Sequence, residues 1–294
     1  LATDTVHIKQ WLLGHPLATA QAAHERLSKP VALAVFASDA LSSVAYATEE
    51  ILLVLVLAGV MAVSLSIWVS PAIVLLLGIL TVSYRQIIFA YPGGGGAYTV
   101  SRENLGQNWS LCAAASLLID YVLTVAVSVA AGIAAISSAF PALQPYTVTL
   151  GLLAIGTLIF GNLRGVRESG KIFSIPTYVF ISSLGVLILM GIGRWVFGWG
   201  DGQAATVAAP VAVEGLTLFL LLRAFSSGCT ALTGVEVISN GVSAFRNPAP
   251  DNASITMIWM AGILGSLFLG ISILAQLYGV LPKENETLIS QLAR

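Results

Sequence analysis

Charged residues are scarce in this sequence. Only 9% of the 294 residues are charged, whereas an ordinary globular domain is near a quarter charged. The 13 basic and 14 acidic residues nearly cancel, so net charge indicates neither a nucleic acid nor an acidic partner. Hydrophobic residues make up 57% of the chain, in long apolar runs. This composition predicts an all-α integral membrane protein in a lipid bilayer.

Enzyme signatures are also missing. The spans contain no G-x-S-x-G, no H-E-x-x-H and no Ser/His/Asp set, and Cys112 and Cys229 lack metal-ligand spacing. The glycine run in YPGGGGAY, residues 91–98, lacks the GK[ST] ending of a phosphate-binding loop. The sequence therefore predicts no enzyme and no cofactor, and we expect the glycine run to form a tight turn packed beneath a cavity.

Seven apolar runs are each long enough to cross a membrane as a helix. They lie at about 30–57, 66–90, 111–139, 146–163, 172–197, 216–244 and 254–281. The first and sixth contain polar clusters, so we predict that these two spans are broken, at ASDALSS (37–43) and at SSG (226–228). Residues 1–29 are expected to form an interfacial segment, and 30–294 the transmembrane domain.

The distribution of Lys and Arg predicts the orientation. With a cytoplasmic N-terminus, three basic residues fall in outer segments: Arg194, Lys283 and Arg294. Nine fall in inner segments: Lys9, Arg26, Lys29, Arg85, Arg102, Arg164, Arg167, Lys171 and Arg246. By the positive-inside rule, this bias predicts a multi-pass protein of the plasma membrane with its N-terminus in the cytoplasm.

Three acids lie inside the predicted spans: Asp39, Asp120 and Glu236. A carboxylate at the centre of a bilayer costs about 2.5–3.5 kcal/mol on insertion scales, so it must face protein, water or an ion. Each acid shares a helical face with hydroxyl or amide residues, for which the alternative role is to hold helices together. The members of these faces are Ser42, Ser43, Tyr46 and Glu50 on span 1, Tyr121, Thr124 and Ser128 on span 3, and Ser226, Thr230, Thr233 and Asn240 on span 6. Oxygen-bearing faces of this kind suit a hard cation.

Four motifs resemble one family. SDALSSVAYATE, YRQIIFAYPGGGGAY, LIDYVLTVAVS and SSGCTALTGVE are similar to KimA-type potassium importers, which are potassium/proton symporters of the amino acid-polyamine-organocation superfamily. The resemblance implies a LeuT-like fold of two inverted five-helix repeats plus two helices, a homodimer, and a cytoplasmic domain that senses cyclic di-AMP. It places ion-site residues at Asp39, Tyr46, Asp120, Tyr121, Thr124, Ser128, Thr233 and Glu236.

The length implies a fragment of that architecture. Seven spans correspond to the first repeat and the start of the second, so we expect the remaining helices and the regulatory domain to be absent.

The leading functional hypothesis is import of potassium coupled to protons. The ion is expected between spans 1, 3 and 6, with Glu236, Asp39 or Asp120 carrying the proton and Tyr46 narrowing the path. The alternative is an amino acid or polyamine permease of the same fold, although Asp39 at the break of span 1 would repel a substrate carboxylate. A cation channel or a membrane scaffold is the hypothesis from a different class.

Overall fold

The computed structural model describes residues 26–163, 166–198, 212–283 and 285–294. The predicted interfacial segment at 1–29 lies outside the described residues except for its last four positions. Within the described ranges, all regular structure is helical apart from two isolated β-bridges, Leu27 with Phe245 and Lys283 with Glu286.

Five of the seven predicted spans are continuous helices. In the part of the chain that the structure describes, five helical segments are long and apolar enough to cross a membrane, with mean hydropathy between 1.5 and 2.3. The long α-helices of these segments are Ser66–Ala90 (span 2), Gln107–Ala139 (span 3), Thr147–Leu163 (span 4), Val166–Phe197 (span 5) and Ala249–Leu277 (span 7). Shorter helices join them at Val60–Val63 and Gly96–Asn104, with 3-10 turns at Val56–Ala58 and Pro141–Tyr146.

Span 1 is divided into three helical pieces, Lys29–Phe36, Ser38–Ser42 and Val44–Leu55. The interruptions fall at Ala37 and Ser43, on either side of Asp39, and both residues keep right-handed helical dihedral angles. The predicted break at ASDALSS is therefore confirmed, and it is a shallow one.

Span 6 is broken more deeply. It comprises Leu218–Gly228, a 3-10 turn at Cys229–Leu232 and a short helix Val237–Asn240, followed by a 3-10 turn at Val242–Ala244. The chain leaves the helical region at Thr233, whose ψ is 135°, and at Gly234, whose φ is +81°.

The first α-helix of span 6 ends within the predicted SSG, at Gly228, but Gly228 keeps an ordinary φ of −68° and the chain leaves helical geometry only at Thr233 and Gly234. Gly228 is needed for packing instead. A Cβ there would lie 2.5 Å from side-chain atoms of Ile51 and Ile73. A larger residue would therefore push span 6 away from spans 1 and 2.

Hydrogen bonds join spans 1 and 6 at two levels. The Leu27 amide donates to the Ala244 carbonyl at 2.8 Å, and the Arg246 amide donates to the Leu27 carbonyl at 3.1 Å. Deeper in the membrane, the Ser43 hydroxyl donates to the Ala231 carbonyl at 3.2 Å, in the 3-10 turn of span 6. Carbonyls released where a helix is interrupted are thus partly satisfied by the neighbouring broken span.

Two regions differ in how completely they are buried. Spans 1, 2, 6 and 7, which we call the packed unit, share one apolar core whose largest fully buried side chains include Phe245, Phe268, Ile51 and Met257. Spans 3 and 4, which we call the exposed pair, are 6% and 0% buried over their most apolar stretches, against 56% for span 7. Span 5 contributes Leu184 and Ile188 to the core of the packed unit.

The two faces of the membrane domain are defined here by span 1: it begins at the near face and ends at the far face. At the far face, the short helix Leu288–Leu292 lies over spans 1 and 3. The Leu288 amide donates to the Glu49 carboxylate at 3.1 Å, and the Thr287 amide donates to the Ser138 hydroxyl at 3.3 Å.

Candidate ion-binding site

The three acids predicted from the sequence meet where span 3 faces the two broken spans. Asp39 lies on the short middle helix of span 1, Asp120 on span 3, and Glu236 directly after the break of span 6. All three side chains are partly buried. Asp39 lies within electrostatic range of both Glu236 and Asp120, and Glu236 within range of Asp120. The arrangement concentrates negative charge between spans 1, 3 and 6.

Asp39 packs directly against the break in span 6. A Cβ at Gly234 would lie 2.6 Å from the Asp39 Oδ2 atom and 3.3 Å from the Ala40 amide nitrogen. The positive φ of Gly234 is also a conformation that side chains other than glycine rarely adopt. Glycine at this position therefore lets the two broken spans approach and leaves room for the carboxylate. Thr233, another predicted site residue, is the extended residue just before it.

Span 3 presents a hydroxyl face to the packed unit. Thr124 is 8% exposed, and the other buried side chains of span 3 are Ser110, Ile133, Ser137 and Ser138. Its apolar side chains point outward instead, among them Leu118, Ile119, Val122 and Leu123. Since lipid is the surrounding solvent, the polar face is the one that must meet protein or an ion.

The two predicted tyrosines link the spans across the site. The Tyr46 hydroxyl of span 1 lies near Ser128 of span 3, and the Tyr121 hydroxyl of span 3 lies near Glu236 of span 6. The Asn240 side-chain amide also donates to the Tyr121 hydroxyl, at 2.7 Å.

Three buried side-chain oxygens at this site have no hydrogen-bond partner: Ser128 Oγ, Glu236 Oε1 and Asn240 Oδ1. Across the described parts of the chain, no other buried side-chain nitrogen or oxygen lacks a partner. A buried polar atom without a partner costs about 1–3 kcal/mol, so the oxygens of Ser128 and Glu236, both predicted site residues, point to a ligand that supplies the missing interaction.

The oxygen atoms of this site suit a hard cation better than a chelated transition metal. Carboxylate, hydroxyl and amide oxygens are ligands of hard cations. Among the described residues, no group of three or more His, Cys, Asp or Glu side chains is arranged to hold a metal ion. The carboxylates therefore do not form a joint chelate, and neutral oxygens must complete any coordination shell.

Sequence reasoning left three neighbours out of the site. Asn240 was recognised on the polar face of span 6, one turn after Glu236, but it was not included among the ion-site residues. Gly234 was not singled out, because nothing in one sequence signals a positive φ beside a distant carboxylate. Tyr84 of span 2 lies within electrostatic range of Glu236 and Asp120. Its only signal was its place at the start of the YRQIIFAYPGGGGAY motif.

The glycine run packs beneath the site at the near face. The Gly95 amide donates to the Asn240 carbonyl at 3.0 Å, and a Cβ at Gly94 would lie 2.6 Å from the same oxygen. Gly94, Gly95 and Gly96 all have positive φ, of 83°, 90° and 44°. The expected tight turn is present, and it leads into the helix Gly96–Asn104.

A model of the amino acid permease family matches residues 29–293. The chain belongs to this family. It is therefore a multi-pass membrane protein of a transporter family rather than an enzyme, and the family implies the LeuT-like fold predicted from the motifs.

Curated relatives are named as potassium transporters. The chain is 50% identical over 286 residues to the potassium transporter KimA of Bacillus subtilis (strain 168), an alignment that covers 97% of this chain and 47% of the relative. It is 26% identical to the probable potassium transport system protein Kup 1 of Bradyrhizobium sp. (strain ORS 278), over 54% of this chain and 24% of the relative. It is 30% identical to the probable potassium transport system protein Kup of Bordetella avium (strain 197N), over 51% of this chain and 23% of the relative.

These matches confirm the resemblance to KimA-type members of the superfamily. The chain spans about half the length of the first of these relatives, and the matched half of the chain covers about a quarter of each of the other two.

Proposed function

We propose that the full-length protein imports potassium across the plasma membrane, coupled to protons. The observation that carries the proposal is that three carboxylates lie within electrostatic range of one another between spans 1, 3 and 6, where buried oxygens of Glu236 and Ser128 have no partner. The names of the similar proteins support potassium as the ion.

In this proposal, Asp39 and Glu236 supply charge, and neutral oxygens replace the hydration shell of the ion. Thr124, Ser128 and Thr233 contribute hydroxyls, while Tyr46 and Tyr121 narrow the path or add ligands. Glu236, Asp39 and Asp120 are the candidates to carry the coupled proton. No cofactor is required, because the ion and the proton are the only species that move.

The position of the site suggests how access could alternate. Asp39 and Glu236 belong to the packed unit, whereas Asp120, Tyr121, Thr124 and Ser128 belong to span 3 of the exposed pair. Transporters of this architecture move one group of helices against another around a site near the midplane. Movement of the packed unit against span 3 would open the site to one face at a time.

Further parts of the proposal follow from the resemblance and from charge. The near face is the cytoplasmic face, because most of the Lys and Arg residues lie on that side. The full-length protein is a homodimer, and cyclic di-AMP acts through a cytoplasmic domain beyond this chain.

The alternative is an amino acid or polyamine permease, which the family description favours. Asp39 Oδ2 lies against the break of span 6, where a substrate carboxylate would meet a like charge. The site therefore disfavours amino acids, whereas a polyamine cation would still be attracted.

The experiment is growth at low potassium of cells that lack potassium uptake, carrying the full-length gene with Asp39→Asn or Glu236→Gln. We expect wild type to restore growth and both variants to fail, with Glu103→Gln, at an exposed acid outside the site, as the matched control. Undiminished growth with both variants would contradict the site. Uptake of an amino acid or of spermidine in place of potassium would contradict the function.

A further inference from the structure

Asn240 makes three different contacts at the near-face end of the site. Its side-chain amide donates to the Tyr121 hydroxyl at 2.7 Å, and its backbone carbonyl accepts from the Gly95 amide at 3.0 Å. Its Oδ1 atom is buried without a partner. Asn240 is thus connected to span 3 through its side chain and to the glycine turn through its backbone.

The direction of the hydrogen bond to Tyr121 restricts the tyrosine hydroxyl. An amide NH₂ group can only donate, so the Tyr121 oxygen accepts, and the single hydroxyl hydrogen must point elsewhere. Glu236 lies near the same hydroxyl. The hydroxyl is therefore oriented to donate to the Glu236 side chain.

Close packing holds the Asn240 side chain in place. A Cβ at Gly96 would overlap the Asn240 Oδ1 atom, and a Cβ at Gly95 would overlap the Thr99 hydroxyl. Only glycine at position 96 lets the turn come this near to the amide. The turn beneath the site therefore fixes the amide that orients Tyr121.

We propose that Asn240 is a positioning residue of the ion site, which holds the Tyr121 hydroxyl toward Glu236 and couples the glycine turn to the ion. The proposal rests on the proposed potassium transport. It adds a residue that acts through Tyr121 instead of binding the ion directly.

The test is a double-mutant cycle in the full-length protein with Asn240→Ala and Tyr121→Phe, alone and together. Each single substitution is expected to raise the half-saturation concentration for potassium uptake by up to about tenfold, which corresponds to the upper end of the range for losing one hydrogen bond. Because Asn240 acts through Tyr121, the double variant should be no worse than Tyr121→Phe alone. The maximal rate, scaled to protein in the membrane, should change less than the half-saturation concentration.

Two further variants separate positioning from simple folding. Asn240→Asp keeps the shape but removes the N–H donor, so it should raise the half-saturation concentration at least as much as Asn240→Ala. Ser239→Ala is the matched control, because the Ser239 hydroxyl donates to the Glu236 carbonyl within its own helix, at 2.7 Å. It should leave the half-saturation concentration within about twofold.

The possible outcomes distinguish the role of Asn240 from the proposed potassium transport. Additive effects of Asn240→Ala and Tyr121→Phe, or an unchanged half-saturation concentration in Asn240→Asp, would overturn the role of Asn240 while potassium transport stands. A fall in maximal rate alone would also overturn it, since that result indicates a structural role. Absence of potassium uptake by the wild-type protein would overturn the proposed function itself.

Discussion

The packed unit and the exposed pair differ in where their apolar side chains lie. Spans 1, 2, 6 and 7 bury apolar side chains against one another, whereas those of spans 3 and 4 are exposed in this chain, which covers about half the length of its relative KimA. In span 3, the buried face consists mainly of hydroxyl residues. The comparison indicates that the packed unit is held together by close packing, and that its contact with span 3 is polar. We call this polar contact between the packed unit and span 3 the seam. A contact of this kind can bind an ion and can also move.

The largest effect on potassium uptake is expected from adding a side chain at Gly234, where Asp39 packs against span 6. Gly234→Ala should lower potassium uptake by the full-length protein at least tenfold, because a left-handed conformation costs a residue with a side chain about 1–2 kcal/mol and the new Cβ would displace the carboxylate. The measurement is potassium uptake by membranes that contain equal amounts of the variant and wild-type proteins. Gly262→Ala in span 7, where a Cβ meets nothing within 4 Å, is the control. Equal uptake by both variants would show that Asp39 does not need its present position.

A glycine-to-alanine substitution is also expected to change the stability of the protein differently in the two regions. Gly228→Ala should destabilise the protein by about 2 kcal/mol, since an added methyl overpacks a close contact with Ile51 and Ile73. Gly132→Ala in span 3 meets no atom within 4 Å and should be neutral or slightly stabilising. Thermal unfolding of the purified full-length protein compares the two. If both variants unfold at the same temperature, the contrast in packing does not hold.

Removing one hydroxyl from the seam should weaken ion binding without disturbing the fold. Thr124→Val keeps the shape of the side chain and should raise the half-saturation concentration for potassium about fivefold, the equivalent of one hydrogen bond of about 1 kcal/mol. Thr157→Val on span 4, whose hydroxyl donates to Leu153 of its own helix at 2.8 Å, is the control. An unaltered half-saturation concentration in Thr124→Val would remove Thr124 from the site.

The smallest effect is expected inside the packed unit. The Ser272 hydroxyl is hydrogen-bonded to Thr48 and to Ser70, each at 3.0 Å, which links spans 1, 2 and 7. Thr48→Val, which removes one of these bonds and leaves Ser272 paired with Ser70, should cost only about 0.6 kcal/mol, because hydrogen bonds between membrane helices are weak on average. The readout is again thermal unfolding, with Ser183→Ala in span 5 as control. A loss several times larger would mean that polar contacts, and not packing, hold this unit together.

Much of this architecture could be predicted from apolar runs and intramembrane acids. Asp39, Asp120 and Glu236 were recognisable because a bilayer tolerates few carboxylates, and the breaks flanking Asp39 because polar residues interrupt an apolar run. The break of span 6 was predicted at SSG (226–228), where the first helix ends, but the chain leaves helical geometry only at Thr233 and Gly234. A glycine that permits close packing and one that adopts a positive φ look the same in a sequence. Asn240 was left out of the predicted ion site for a similar reason, since its partners, Tyr121 and Gly95, are distant in the chain.

The central claim is that potassium binds at the seam formed by Asp39, Glu236 and span 3. The most direct measurement is the thermal stability of the purified full-length protein in potassium chloride and in choline chloride, for wild type and for Asp39→Asn combined with Glu236→Gln. Potassium at one hundred times its dissociation constant should stabilise the wild type by about 2.7 kcal/mol. We predict that this stabilisation is lost in the double variant. An equal potassium-dependent increase in both proteins would contradict the claim.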